Sequence, residues 1–170
     1  MKYLQGYPEH ILEQAQKLVA SGKLKPYLAG QYAAGHEIRS NTALYTYTQQ
    51  LKSRYLKQSR PITKVLYDDK IRVMKHALGL HSRISRVQGS RLKASKDIRI
   101  ASLFKTAPAA FLRMIVVHEL AHLRELDHNR SFYQLCTYME PDYHQLELDL
   151  RLYLTLLDSG ESLADHCAPE

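Results

Sequence analysis

The stretch that decides the fold is residues 108–123, which read PAAFLRMIVVHELAHL. Pro108 suits the start of a helix, because the first helical turn does not need the N–H that proline lacks. The residues after it are apolar on nearly every side, which is typical of a helix buried in the centre of a domain. Titratable side chains on such a helix are costly unless they are paired or bound to a metal. The histidines and the glutamate near its end therefore need a chemical explanation.

The pattern H-E-x-x-H is formed by His118, Glu119 and His122. Positions four residues apart lie about 40° apart around a helix and one turn along it, so the two imidazoles can converge on one ion. Glu119 projects from the neighbouring angle, where its carboxylate can contact a metal-bound water rather than the metal. The pattern predicts a zinc-dependent hydrolase with Glu119 as its general base. The alternative is that the histidines are ordinary hydrogen-bonded core residues.

A third zinc ligand is expected at His128, six residues after His122, where the helical pattern breaks. Six residues is the interval of the longer motif H-E-x-x-H-x-x-G-x-x-H, although Glu125 replaces its glycine. The chain must therefore turn by another route, with the helix expected to end near Asp127. Three other candidates for this ligand lie downstream and stay open at this point: Glu140, Asp142 and His144. The remaining histidines show no such spacing, and three of them are expected at the surface: His10, His36 and His166.

The composition indicates one domain without a membrane span. The chain has 170 residues, of which 45% are apolar and 24% are charged, as in ordinary globular proteins. No window approaches 18 uninterrupted apolar residues, and no apolar run follows the first residues as a secretory signal requires. Two cysteines, Cys136 and Cys167, favour free thiols in a reducing compartment. We therefore expect a cytoplasmic protein whose zinc ligands are histidines or carboxylates, since two sulfurs cannot form a four-thiolate site.

The pattern of apolar residues predicts an α+β fold in a single domain over residues 1–170. Four parts are expected in chain order: a helical N-terminal portion (1–60), a small, mostly antiparallel and basic β-sheet (61–105), a metal-binding helical portion (106–158) and a polar tail (159–170). Helices are predicted over residues 9–21, within 23–36, from a cap at Ser40 or Asn41 through Leu56 with an end before Pro61, over 131–139, and after Pro141.

Strands are predicted where apolar and polar residues alternate or β-prone residues cluster: 62–67, 71–74, parts of 83–87 and 98–104. The last segment of the chain is ambiguous, because leucines at every second position from Leu146 to Leu156 also suit a strand. Its length favours a helix.

The motif residues resemble those of a known family. H-E-L-A-H-L at 118–123, followed by His128 and the aromatic pair Phe132-Tyr133, is similar to the YgjP-like metallopeptidases, relatives of the SprT and WLM zinc peptidases. The resemblance extends to residues 3–8, 77–81 and 85–89. It implies a zincin-like fold with a small sheet beside the active-site helix. It also implies that His118, His122 and His128 hold Zn²⁺ and that Glu119 is the general base.

Three functions remain open from the sequence. The first is hydrolysis of a peptide or protein substrate, with the oxyanion donor among Arg86, Tyr138, Tyr143 and His144. The second is association with nucleic acid through residues 51–105, which carry fifteen Lys/Arg against three Asp/Glu. SprT-like relatives act on DNA-bound proteins, so the two can combine. The third is hydrolysis of a non-peptide amide or ester. The oligomeric state does not follow from the sequence.

Overall fold

The structure is a computed structural model that describes residues 1–71 and 96–163. These residues mix helices with strands, as predicted. The elements follow in this order: α1 (Glu9–Ala20), α2 (Leu24–Gln31), α3 (Asn41–Tyr55), β1 (Ile62–Asp68), β2 (Lys96–Ala101), α4 (Ala109–Ala121), α5 (Arg130–Met139) and α6 (Tyr143–Asp158). Short 3₁₀ turns lie at Lys2–Leu4 and Ser102–Lys105. Among the helices described, none has the length and apolar character to cross a bilayer.

The N-terminal helices begin and end close to the predicted positions, with α3 ending at Tyr55. Ser40 caps α3, because its Oγ accepts a hydrogen bond of 3.0 Å from the N–H of Ala43. Gly22, just beyond α1, has a φ of +69°, a left-handed conformation that glycine adopts without steric cost. Helix α2 then packs against α6, and α3 packs against β1. The first sixty residues are therefore joined to both the sheet and the C-terminal helix.

The predicted antiparallel sheet is wrong. β1 and β2 run parallel, with Val65 opposite Ile98 and Tyr67 opposite Ile100. The connection between them, residues 69–95, exceeds the dozen residues that a parallel crossover needs. The second strand ends at Ala101 rather than 104, since residues 102–105 form a 3₁₀ turn. Apart from Ile71, which is not in a strand, the strands predicted at 71–74 and 83–87 lie outside the described residues.

Strand β2 presents alternate side chains to the core. Ile98 and Ile100 are each 1% exposed, whereas Asp97 and Arg99 face solvent. Side chains two residues apart share one face of a strand, so Lys96 points to the same side as the two isoleucines. That side packs against α4. The pairing of the strands therefore brings a lysine towards the central helix.

Helix α4 is the centre of the core, as its apolar sequence predicts. Its buried residues are Phe111, Leu112, Met114, Ile115, Val116, Val117, His118, Leu120 and Ala121. Helices α5 and α6 both pack against it. A helix enclosed in this way is a rigid support for the side chains in its last turn.

Helix α6 is also buried on most sides, which explains why its leucines fit two periodicities. Among its buried residues is Asp149, only 1% exposed. Its carboxylate accepts hydrogen bonds from the hydroxyls of Tyr27 (3.1 Å) and Tyr32, and from the amide of Gln145 (3.2 Å). These donors satisfy a buried carboxylate and fasten α2, with the residue that follows it, to α6.

Candidate metal centre

Three imidazoles converge at the end of α4. The Nε2 atoms of His118 and His122 are 3.3 Å apart, those of His122 and His128 are 3.1 Å apart, and those of His118 and His128 are 3.2 Å apart. A neutral imidazole nitrogen carries either a proton or a free lone pair, so three mutual contacts cannot all be hydrogen bonds. A tetrahedral zinc ion with Zn–N bonds of about 2.0–2.1 Å holds its ligand nitrogens about 3.3–3.4 Å apart. The donor set and its spacing fit such an ion.

The helix end and the loop after it produce this convergence. Helix α4 stops at Ala121, earlier than the expected end near Asp127, and the chain turns back to place His128 just before α5. Asn129 caps α5, its side chain accepting a 2.9 Å hydrogen bond from the N–H of Phe132. No residue other than glycine has a positive φ in the described chain, so the turn does not need the glycine that Glu125 replaces.

The outer nitrogens of two imidazoles are held in place. His122 Nδ1 donates to the carbonyl oxygen of Glu125 at 2.8 Å, which leaves the Nε2 lone pair of the neutral ring free to bind a metal. His118 Nδ1 lies 2.8 Å from the hydroxyl of Tyr143, which α6 contributes. Burial lowers the pKa of His122 to about 4 and the pKa of His118 well below its usual value. Both rings are therefore neutral near pH 7, as metal ligation requires.

Phe132 forms an apolar wall behind the three histidines. Its ring is completely buried, and its centroid lies 5.0 Å from that of His118, 4.6 Å from that of His122 and 4.9 Å from that of His128. A ring packed against all three imidazoles restricts their rotation and keeps water from that side. In the sequence, only the family resemblance indicates that Phe132 belongs to the site.

Glu119 follows His118, one of the three residues of the histidine triangle (His118, His122 and His128), and it is half-buried. Burial raises the pKa of its carboxyl to about 7, and the nearby ammonium of Lys96 opposes that rise. A carboxyl with a pKa near neutrality can both accept and return a proton at physiological pH. This is the property that a general base in hydrolysis needs.

Sequence reasoning missed Lys96 as a neighbour of the site. Its ammonium donates a 3.3 Å hydrogen bond to the carbonyl oxygen of His122, at the end of α4. No local motif marks this lysine. It reaches the site only because β2 pairs with β1 and turns this face towards α4.

The alternative third ligands lie elsewhere. Glu140 pairs with Arg113, with 2.6 Å between Oε2 and Nε, and the His144 ring packs on Tyr133 with 5.4 Å between centroids. Within residues 1–71 and 96–163, the group of metal-ligand side chains brought together consists of the three predicted histidines, without Asp142.

The structure also places the other oxyanion candidates, the histidines expected at the surface and the cysteines. The Tyr143 hydroxyl contacts the outer nitrogen of His118 rather than the open side of the triangle, and Tyr138 is 61% exposed. His10 is exposed as expected, but His36 is half-buried and its Nε2 donates to the Phe104 carbonyl oxygen. Cys136 is a buried free thiol. Three further predicted residues lie outside the described chain: Arg86, His166 and Cys167.

Comparison with known proteins agrees with the resemblance. Residues 9–153 match the family model described as YgjP-like, metallopeptidase domain, so the chain belongs to the YgjP-like family. A relative from Escherichia coli (strain K12), named UTP pyrophosphatase, is 54% identical over 162 residues, which are 95% of this chain and 97% of that protein. No solved structure matches the chain. The family description and the relative's name point to different hydrolysed bonds.

The Tyr143 contact gives a testable prediction about metal affinity. Tyr143→Phe keeps the buried ring but removes the hydroxyl beside His118 Nδ1. We expect the affinity for Zn²⁺ to fall about 10- to 100-fold, as is typical when the outer partner of a ligating histidine is lost. Titration against a competing chromophoric chelator measures the change. Tyr133→Phe is the control, because it makes the same substitution on a neighbouring ring; equal affinities for the two variants would contradict a role for Tyr143 in positioning His118.

Proposed function

We propose that this chain is a metal-dependent hydrolase that cleaves a nucleoside triphosphate, with UTP as its substrate, to the nucleoside monophosphate and pyrophosphate. The observation that carries the choice of substrate is the 54% identity to a UTP pyrophosphatase over nearly the whole of both chains. The hydrolytic class is supported by the three converging imidazoles and by the carboxyl of Glu119 beside them.

In this reaction, the histidines would bind the metal and Glu119 would transfer a proton. His118, His122 and His128 would hold the ion through Nε2, with Tyr143 and Phe132 keeping the rings in place. A zinc ion there would polarise a water molecule and lower its pKa towards 7. Glu119 would take the proton from water as the new bond to the α-phosphorus forms. It would return that proton to the leaving pyrophosphate as the bond between the α-phosphorus and the bridging oxygen breaks.

The second candidate is hydrolysis of peptide bonds, which the family description favours. The same residues would then deliver water to a carbonyl carbon, and Glu119 would pass its proton to the leaving amine. This mechanism also needs a donor for the oxyanion of the tetrahedral intermediate. With the Tyr143 hydroxyl on the outer side of His118, that role would fall to another group.

A product assay separates the two candidates. The zinc-loaded protein is incubated with UTP, with the other nucleoside triphosphates and with a mixed peptide library; phosphorus NMR and mass spectrometry identify the products. We expect UMP and pyrophosphate from UTP, lost on chelation and restored by Zn²⁺. Glu119→Gln, purified in parallel, controls for contaminating enzymes. Zinc-dependent peptide cleavage without any nucleotide product would reject the proposal in favour of the peptidase.

A further inference from the structure

Positive charge lies next to the candidate metal centre. A triphosphate carries several negative charges, and the half-buried carboxyl of Glu119 repels them when it is ionised. A site for such a substrate therefore needs cations close to the metal ligands. Lys96 meets that condition, because its ammonium lies 3.3 Å from the carbonyl oxygen of His122.

Two arginines lie on segments next to this lysine or to the end of α4. Arg60 is close enough for its charge to act on Lys96, and the N–H of Lys96 donates a 3.2 Å hydrogen bond to the carbonyl oxygen of Pro61. Arg124, two residues after His122, donates from Nε to Ser59 Oγ at 2.9 Å. These contacts place three cations, from three segments of the chain, in the region where α4 ends. We call Arg60, Lys96 and Arg124 the basic rim.

Internal contacts account for the basic rim only in part, since Lys96 lies near the Glu119 carboxyl and is hydrogen-bonded to His122, whereas both arginines are exposed. In the part of the chain that the structure describes, the ion pairs involve other residues, and none of the three rim cations pairs with a carboxylate. Like charges held close together repel one another and destabilise the free protein. Such an arrangement is compensated when an anion binds among the cations, since charge-assisted hydrogen bonds to phosphate are stronger than those between neutral groups.

We propose that the basic rim is the phosphate-binding part of the site, with Lys96 contacting the phosphate next to the bond that is cleaved and the two arginines contacting the outer phosphates. This assignment rests on the proposed function. It makes Lys96 a determinant of specificity for phosphate esters over peptides. The two arginines, both exposed, contribute less than Lys96, because water screens their charges.

Substitution of Lys96 tests the assignment. We expect Lys96→Gln to raise the KM for UTP about 10- to 100-fold and to weaken UTP binding to the zinc-loaded Glu119→Gln protein by a similar factor, measured by calorimetry. Lys96→Arg keeps the charge but not the compact ammonium group, so we expect its KM and UTP affinity to lie between those of wild type and Lys96→Gln. Lys17→Gln, which removes an exposed lysine on α1, is the control and should change neither value. The double variant Arg60→Gln with Arg124→Gln should raise the KM by a smaller factor.

The outcomes separate this proposal from the proposed function. Absence of UTP hydrolysis by the wild type would reject the function itself. If Lys96→Gln hydrolysed UTP with unchanged KM and unchanged UTP affinity, the assignment of phosphate binding to the basic rim would be rejected, while the proposed function would stand. A lower melting temperature of Lys96→Gln with unchanged UTP affinity would also reject this assignment, because Lys96 would then have only a structural role between β2 and α4. Single-stranded DNA that displaces UTP and loses affinity in the rim variants would reassign the rim to nucleic acid.

Discussion

Glu119→Gln will lower the rate of hydrolysis by about 10³-fold and leave the metal in place. The substitution keeps the shape of the side chain but removes the group that can take a proton from water, a contribution typically worth 10²- to 10⁴-fold. Metal binding should persist, because the three converging Nε2 atoms belong to His118, His122 and His128. Steady-state kinetics with UTP, together with metal analysis of the same sample, measures both effects.

Glu125→Gln is the matched control for this experiment. Glu125 is on the loop after α4, and its carboxylate accepts a 3.4 Å hydrogen bond from the Asn129 side chain. Its contact with His122 uses the backbone carbonyl oxygen, which the substitution retains. We expect this variant to stay within about threefold of wild type. If Glu119→Gln hydrolysed UTP as fast as Glu125→Gln, another group would have to be the base.

The core of the candidate site was predictable because it depends on local geometry. His118, Glu119 and His122 lie within about one turn of a helix, where spacing alone fixes their relative directions. His128 was predictable from its interval to His122, although the sequence did not exclude three downstream alternatives. The structure separates these by placing Glu140 against Arg113 and by bringing the His128 ring nitrogen to 3.1 Å from that of His122.

The groups around this core were not predictable in the same way, because they come from distant segments. Tyr143 reaches His118 only because α6 packs against α4, and Lys96 reaches His122 only because β2 faces that helix. The prediction of antiparallel strands was wrong for a related reason. Alternation along a strand predicts which side chains are buried, but not the partner strand or its direction, which depend on the long connection 69–95.

The histidine triangle bears on stability as well as on chemistry. His118 is 3% exposed, and both its neighbours in the triangle are half-buried. Their Nε2 atoms are 3.1–3.3 Å apart, an arrangement that hydrogen bonds between neutral imidazoles cannot fully satisfy. A cation bound by the three nitrogens would satisfy all of their lone pairs, so we expect metal binding and folding to be thermodynamically linked.

Loss of the metal will therefore lower both activity and stability. We expect His128→Ala to reduce bound zinc from one ion per chain to nearly none and to abolish hydrolysis. An ion present at about a thousand times its dissociation constant stabilises the folded state by about 4 kcal/mol, or about 10 °C in melting temperature for a chain of this length. Chelation of the wild-type protein should produce a similar decrease. Elemental analysis and calorimetric melting measure the two quantities.

His10→Ala provides the comparison, since His10 is exposed and should keep the full zinc content and melting temperature. His128→Ala should also lose its response to chelator, because the variant has no ion to give up. This second criterion distinguishes a metal effect from ordinary damage to the loop, which would lower the melting temperature while the response to chelator remained. One zinc ion per chain in His128→Ala would contradict His128 as the third zinc ligand. The third ligand would then have to be sought among Glu140, Asp142 and His144.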